Sequence, residues 1–199
     1  MFYFVRESFL FIMANLFDIT LVTIAWLLLQ LPIITSPGAT VALYHFARQA
    51  LLQDEAQFRD FVQGLRKYFW KGWLIVLPYA LVAIVLGYDI PFFLSADQSQ
   101  AKLLASIPMA VFSLLLLVQT YVFAFFVREN GALWPSIKKA FLLAISDIVF
   151  TVALTLFVIL YFVALYATRI GLVILFVGPV AVLQSKAVQY LLTKRGIEF

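Results

Sequence analysis

Residues 103–127 read LLASIPMAVFSLLLLVQTYVFAFFV, a continuous apolar run that contains no charged residue. A helix needs about 20 apolar residues to span the hydrocarbon core of a bilayer, so this run is long enough to cross. The strands of a membrane-spanning barrel are shorter and alternate apolar with polar residues, a pattern that this run lacks. The stretch therefore predicts a transmembrane helix.

The rest of the chain has the same character. Hydrophobic residues make up 65% of it and charged residues 12%, whereas a water-soluble domain is nearer half apolar and a quarter charged. We predict an all-α, polytopic membrane helix bundle that forms a single membrane domain over residues 1–199. Its five predicted transmembrane helices cover approximately residues 9–31, 72–90, 103–127, 148–168 and 170–190.

Three amphipathic stretches between these spans are predicted to be interfacial helices on the cytoplasmic surface, at approximately residues 37–53, 57–70 and 135–146. The second has an aromatic face and a basic face, which is typical of a helix that lies in the plane of the interface. Its candidate surface residues are Arg59, Phe61, Arg66, Lys67 and Phe69. The alternative is that these apolar faces pack onto the bundle. For residues 32–53, a re-entrant position is a further alternative.

The basic residues are concentrated on alternate connections between the spans. Eleven of the 14 lie on one predicted side: Arg48, Arg59, Arg66, Lys67, Lys71, Arg128, Lys138, Lys139, Lys186, Lys194 and Arg195. The opposite side holds Arg6, Lys102 and Arg169. Because cytoplasmic loops are enriched in Lys and Arg, the sequence predicts an external N-terminus and a cytoplasmic C-terminus.

Polar residues inside the predicted spans are candidates for function or for helix packing. Asn15 and Asp18 lie three residues apart, so they share one face of the first span. A carboxylate in hydrocarbon is costly and tends to face a partner or a water-filled cavity, which makes this pair a candidate solute or proton contact. The alternatives are a position near the outer interface or a hydrogen bond to a neighbouring helix. Gln119, Thr120, Thr151 and Thr155 are predicted to form interhelical hydrogen bonds.

The composition and the motifs of the chain exclude several kinds of metal site and active site. The chain has no cysteine and a single histidine, His45, which excludes thiolate and multi-histidine metal sites. No nucleophile elbow, zinc-protease motif or phosphate-binding loop is present, so we predict a non-enzymatic protein without cofactor or metal. The net charge of +4 is attributed to topology signals and to anionic lipid headgroups, and no nucleic-acid partner is expected.

The stretch from Asn15 to Tyr44 contains Trp26, Leu31-Pro32-Ile33-Ile34-Thr35, Gly38-Ala39 and Ala42-Leu43-Tyr44. With these elements it resembles the opening of the YesL-like family of small bacterial integral membrane proteins. Within them, Pro32, Thr35, Gly38 and Tyr44 form a predicted turn signature. The chain departs from the family pattern by the extra residue that Ser36-Pro37 introduces before Gly38.

The resemblance implies a protein of the bacterial cytoplasmic (inner) membrane, in a family often encoded beside carbohydrate-uptake transporters and without an established activity. It carries no catalytic residues. The expectation is therefore an accessory or regulatory component of carbohydrate uptake, with components of an ABC-type sugar transporter as partners. The alternative is a subunit of a small-solute or proton-coupled transporter or channel that acts as a homo-oligomer.

Overall fold

The chain folds into a bundle of helices. The computed structural model describes residues 2–95, 104–168 and 172–197. It is 88% helix, and the described ranges contain no strand. The nine helices of those ranges are α1 (Phe2–Ala14), α2 (Leu16–Gln30), α3 (Ser36–Gln53), α4 (Phe58–Tyr68), α5 (Lys71–Ser95), α6 (Ser106–Arg128), α7 (Leu133–Ser146), α8 (Ile148–Thr168) and α9 (Leu172–Thr193).

Three helices are each long and apolar enough to cross a membrane: α5, α6 and α8. Helices α1 and α2 meet the same criterion only as a pair, and the pair is bent by 80°. The structure thus contains three or four candidate spans, and the predicted five are not confirmed. The beginnings of predicted spans three and five, residues 103 and 170–171, lie outside the described residues, as do Lys102 and Arg169.

The first predicted span is not one continuous helix, because the helix is interrupted at Asn15. This residue has φ −111° and ψ 21°, outside the helical region. Its side-chain Nδ2 donates to the Phe11 carbonyl at 3.0 Å, and its Oδ1 accepts the backbone N–H of Ala56 at 2.9 Å. A short polar side chain that bonds to backbone groups competes with the helix ladder, which explains the break.

Helix α3 lies in the interior of the bundle, in contrast to the predicted surface helix. Every residue from Val41 to Ala47 is buried, and the helix packs against α2, α4, α5, α6 and α9. The small residues Ala39, Ala42 and Ala50 allow its neighbours to approach closely. The predicted helix start is correct, since Pro37 occupies the first turn.

Helix α4 returns antiparallel along α3 and is the second half of a helical hairpin. A β-carbon at Gly64 would lie 2.8 Å from the His45 ring and 3.1 Å from the Ala42 Cα, so the glycine permits this close approach. Asp60, Phe61 and Tyr68 are also buried in the hairpin. The opposite face of α4 is exposed.

One end of the bundle collects most of the positive charge, and we call it the basic end. Here α5 and α8 begin and α6 and α9 end. Asp147, at the start of α8, accepts from Arg195 at 2.6 Å and from Lys194 at 3.4 Å just after α9. Phe4, near the start of α1, also lies at this end, with ring centroids 5.5 Å from Phe150 and 5.7 Å from Tyr190.

Candidate functional site

The predicted pair Asn15 and Asp18 is not arranged as a shared polar surface. Asn15 uses both ends of its amide to fasten the α1–α2 break to the turn before α4. Asp18 lies half-buried in the first turn of α2. A carboxylate at a helix N-terminus interacts favourably with the helix dipole, which is a sufficient structural reason for its presence.

The turn signature between α2 and α3 has a structural role at each residue. Pro32 follows the end of α2, and the Thr35 hydroxyl donates to the carbonyls of Leu29 and, at 2.8 Å, of Pro32 itself. Gly38 lies against the backbone of Phe69, where a β-carbon would be 2.8 Å from its Cα. These contacts close the corner between α2 and α3.

Tyr44 connects the same segment to the last helix. Its hydroxyl donates to the side-chain oxygen of Gln184 on α9, and its ring stacks on Phe123 of α6 at 5.2 Å. The aromatic ring and the hydroxyl therefore fix α3 to two helices that lie far along the chain.

The α2–α3 corner presents apolar side chains to its surroundings at the basic end. Leu31 is 80% exposed, and Ile33 and Ile34 are also exposed. Trp73 donates its indole N–H to the Ile34 carbonyl at 3.2 Å, and neighbouring Trp70 is 74% exposed. Indole rings favour the headgroup region, so this corner has the chemistry of a membrane interface.

The predicted basic and aromatic surface of α4 divides into two groups. Arg59, Arg66 and Lys67 are exposed, whereas Phe61 is buried and Phe69 is half-buried. We call the exposed side chains Arg59, Gln63, Arg66 and Lys67 the α4 platform.

The α4 platform is fixed to the turn between α6 and α7. Lys67 donates to the Asn130 side-chain oxygen at 3.0 Å, and Lys71 donates to the Asn130 backbone carbonyl at 3.0 Å. Asn130 has φ 53° and Gly131 has φ 89°, a tight turn that presents these oxygens to the two lysines. The Tyr68 hydroxyl adds a bond to the Val127 carbonyl at 3.1 Å. The platform is therefore held in one position relative to α6.

Two buried ionisable groups inside the hairpin were not singled out from the sequence. Asp60 is 6% exposed and its Oδ2 has no hydrogen-bond partner, while burial raises the pKa of this carboxyl. The His45 ring is equally buried, its Nδ1 has no hydrogen-bond partner, and it lies 5.6 Å from the Tyr68 ring. Burial first, and then the charges of Lys67 and Arg48, lower the pKa of His45 to about 4. Both groups are thus favoured in their neutral forms.

A sequence signal for Asp60 exists. Asp60, Gly64 and Tyr68 recur every four residues and so share one face of α4. The stripe of phenylalanines beside them is the stronger pattern, and by that pattern Asp60 falls on the charged face of the helix. Among the described residues, no three His, Cys, Asp or Glu side chains are placed to hold a metal ion.

Two apolar cavities lie between the helices. One of about 120 Å³ is enclosed by α1, α8 and α9, with Ser8 and Tyr161 among its lining residues. The other, of about 270 Å³, lies between α5 and α6 and is lined on the side of the basic end by α7. We call this second cavity the α5–α6 groove.

A comparison with models of protein families gives a match to part of the chain. The family model described as "Protein of unknown function, DUF624" matches residues 19–90. That segment contains most of α2, the corner, the α3–α4 hairpin and most of α5. No curated protein and no solved structure matches the chain.

Proposed function

We propose that this chain is a non-enzymatic membrane protein that acts as an accessory or regulatory component of carbohydrate uptake. One observation carries the proposal. One face of α4 is buried against α3. The α4 platform on the other face is therefore a rigid basic surface that is available to another molecule. A fixed surface binds with less loss of conformational entropy than a mobile one.

The link to carbohydrate uptake comes from the resemblance to the YesL-like family. The family match at residues 19–90 supports that resemblance in part, because the turn signature and the platform both lie in the matched segment. The link to carbohydrate uptake itself is our proposal. The partner we propose is a component of an ABC-type sugar transporter in the bacterial inner membrane. Exposed apolar side chains at the corner, beside the basic platform, provide a mixed surface of the kind that interfaces use.

A solute path along α1 and α2 has less support. Asn15 is occupied by its two backbone contacts, and Asp18 is accounted for by the start of α2. The geometry therefore favours the accessory function over a transporter or channel subunit.

We further propose that both termini lie in the cytoplasm. The packing of Phe4 against Phe150 and Tyr190 supports this, because it brings the start of α1 to the basic end. Helices α1 and α2 would then enter and leave the membrane on one side, followed by crossings through α5, α6 and α8. A fourth crossing through α9 follows from the span predicted at residues 170–190. This topology moves Arg6 to the cytoplasmic side, which strengthens the positive-inside bias.

Site-specific photocrosslinking in native membranes tests the proposed partner. A photoreactive residue at Arg66, on the α4 platform, should crosslink to a membrane component of a sugar transporter, identified by mass spectrometry. The matched control is Val163, exposed on α8, where only lipid contact is expected. Crosslinks from Arg66 to copies of this chain alone, or to lipid alone, would argue against the hetero-complex.

A functional measurement accompanies the crosslinking. Cells lacking the protein are complemented with wild type or with a variant carrying Arg59→Gln and Arg66→Gln, and the uptake of radiolabelled sugar is measured. Both side chains are exposed, so the variant should fold. We expect the variant to restore less uptake than wild type. Equal uptake by deletion, variant and wild type would contradict an accessory role in sugar transport.

A further inference from the structure

The α5–α6 groove is almost entirely apolar. Its walls come from α5 and α6, and Leu133, Ile137 and Phe141 of α7 line the end nearest the basic end. Ile75, Val118 and Val122 are buried and form the floor near the basic end. Val82, Val111 and Leu114 are partly exposed, so the other end is open at the side of the bundle.

The length of the groove is close to the thickness of the hydrocarbon layer in one leaflet of a bilayer. From Val111 to Val122 the groove follows α6 for about 16 Å, at roughly 1.5 Å per residue. The hydrocarbon core of a bilayer is about 30 Å thick, so the groove extends over about half of it. A helix with its side chains is about 10–12 Å wide and would not enter a cavity of about 270 Å³. A single hydrocarbon chain is the occupant whose size fits.

Polar groups within the groove have their own partners. The Tyr79 hydroxyl donates to the Leu115 carbonyl at 2.5 Å, a bond that joins α5 to α6 across the groove. The interior therefore offers an occupant no free hydroxyl, and dispersion contacts with an alkyl chain are the main interaction available there.

The end of the groove beside α7, in contrast, has cationic side chains close to it. Lys71 lies one helical turn before Ile75, on the same face of α5. It donates one hydrogen bond to the Asn130 carbonyl, and an ammonium group has three donors, so two remain for a ligand. On α7, exposed Lys138 follows the lining residue Ile137, and Trp134, which is 76% exposed, follows Leu133. Ammonium and indole groups at the interface suit a phosphate headgroup.

We propose that the α5–α6 groove binds one anionic phospholipid, with an acyl chain between α5 and α6 and the phosphate beside Lys71. The charge complementarity at the α7 end and the width of the cavity select this occupant over a protein helix. The assignment is independent of the proposed role in sugar uptake. It requires only that α5 and α6 cross the bilayer.

Native mass spectrometry of the detergent-purified protein tests the site, with phosphatidylglycerol or phosphatidylcholine added in turn. Wild type should retain one phosphatidylglycerol under conditions that strip loosely held lipid, and phosphatidylcholine about tenfold less. Val118→Trp fills the floor and should reduce retention by about tenfold, the equivalent of about 1.4 kcal/mol. If Val118→Trp does not fold, Val111→Trp at the open end fills the groove with less strain. The control Val152→Trp, on the exposed face of α8, should retain lipid as wild type does.

The headgroup contact has its own matched pair of variants. Lys71→Gln should abolish the preference for phosphatidylglycerol, whereas Lys67→Gln should change it less than twofold. Lys67 is the right control because it also bonds to Asn130 and also carries one positive charge. The proposal is overturned if wild type retains no lipid, if the number retained shows no step at one, if the filling variants match Val152→Trp, or if Lys71→Gln keeps the wild-type preference.

Discussion

Gly72 lies so close to Pro37 that a β-carbon on the glycine would be 2.5 Å from both the carbon and the oxygen of the Pro37 carbonyl. The start of α5 and the start of α3 therefore touch backbone to backbone. The contact adjoins the one between Gly38 and Phe69, so two glycines hold the α2–α3 corner against the α4–α5 corner.

We predict that Gly72→Ala strongly destabilises the protein. Backbone atoms cannot rotate away as a side chain can, so we expect a cost of at least about 1–3 kcal/mol, as for overpacked sites. Thermal unfolding in detergent, followed by circular dichroism, measures it. Gly87→Ala on the same helix is the matched control, because a β-carbon there meets nothing within 4 Å. Equal unfolding midpoints for the two variants would refute the close contact.

Asn15→Ala should also destabilise the fold, because two hydrogen bonds are lost at the α1–α2 break. At about 0.5–1.5 kcal/mol each, the expected loss is about 1–3 kcal/mol. Gln63→Ala, at an exposed position on α4, is the comparison. A variant with wild-type stability but altered solute flux in proteoliposomes would instead favour a transport role for Asn15.

His45 should make stability depend on pH in the acidic range. Its pKa is lowered from 6.5 to about 4 in the folded chain, so protons bind the unfolded chain more readily. The stability it contributes is present above pH 6.5 and is lost as the pH falls towards 4. His45→Gln should therefore lose less stability than wild type between pH 6.5 and pH 4. Since the chain has one histidine, a difference in that interval is assigned to it; parallel curves would contradict its burial.

Asp60 should give stability the opposite dependence on pH from His45. Burial raises the pKa of its carboxyl, so the folded chain binds the proton more tightly than the unfolded chain. Its favourable contribution is complete below the ordinary carboxyl pKa, about 3.9, and is lost as the pH rises through the folded value. The unfolding midpoint of Asp60→Asn relative to wild type should increase with pH over this range. A difference in midpoint that stays constant over this pH range would refute the assignment.

Single-cysteine labelling tests the proposed topology, and the absence of native cysteine makes each introduced thiol unique. In right-side-out vesicles, a membrane-impermeant maleimide should label Ser95→Cys. It should label Arg6→Cys, Arg66→Cys and Lys194→Cys only after permeabilisation. Labelling of Arg6→Cys in sealed vesicles would restore the external N-terminus that the charge distribution predicts.

The class of fold could be predicted from composition and charge, because an apolar chain with few charges is one that lipid, and not water, surrounds. The uncharged runs correspond to α5, α6 and α8, which are long and apolar enough to span. Polar residues within such runs must find partners on neighbouring helices, and the bonds predicted for the three threonines form. Thr120 lies 3.3 Å from Thr155 and Thr151 lies 3.0 Å from Tyr121 between the hydroxyl oxygens.

The position of α3 in the bundle interior could not be predicted from the spacing of its apolar residues. An apolar face has the same periodicity whether it meets lipid, the bundle surface or the bundle interior. The deciding contact is between Tyr44 and Gln184, which are 140 residues apart. Asn15 was difficult for another reason, because the helix break depends on a partner, Ala56, that lies on a different segment.

The same long-range contact has a consequence for biosynthesis. When the ribosome has completed α3, the helices that surround it on the α6 and α9 sides do not yet exist. Closing so long a loop carries an entropic cost that is recovered only when the final helix docks. The apolar surface of the nascent α3–α4 hairpin therefore stays unburied at the membrane until α6 and α9 have been synthesised. Premature termination before residue 184 would leave that surface accessible to quality-control proteases.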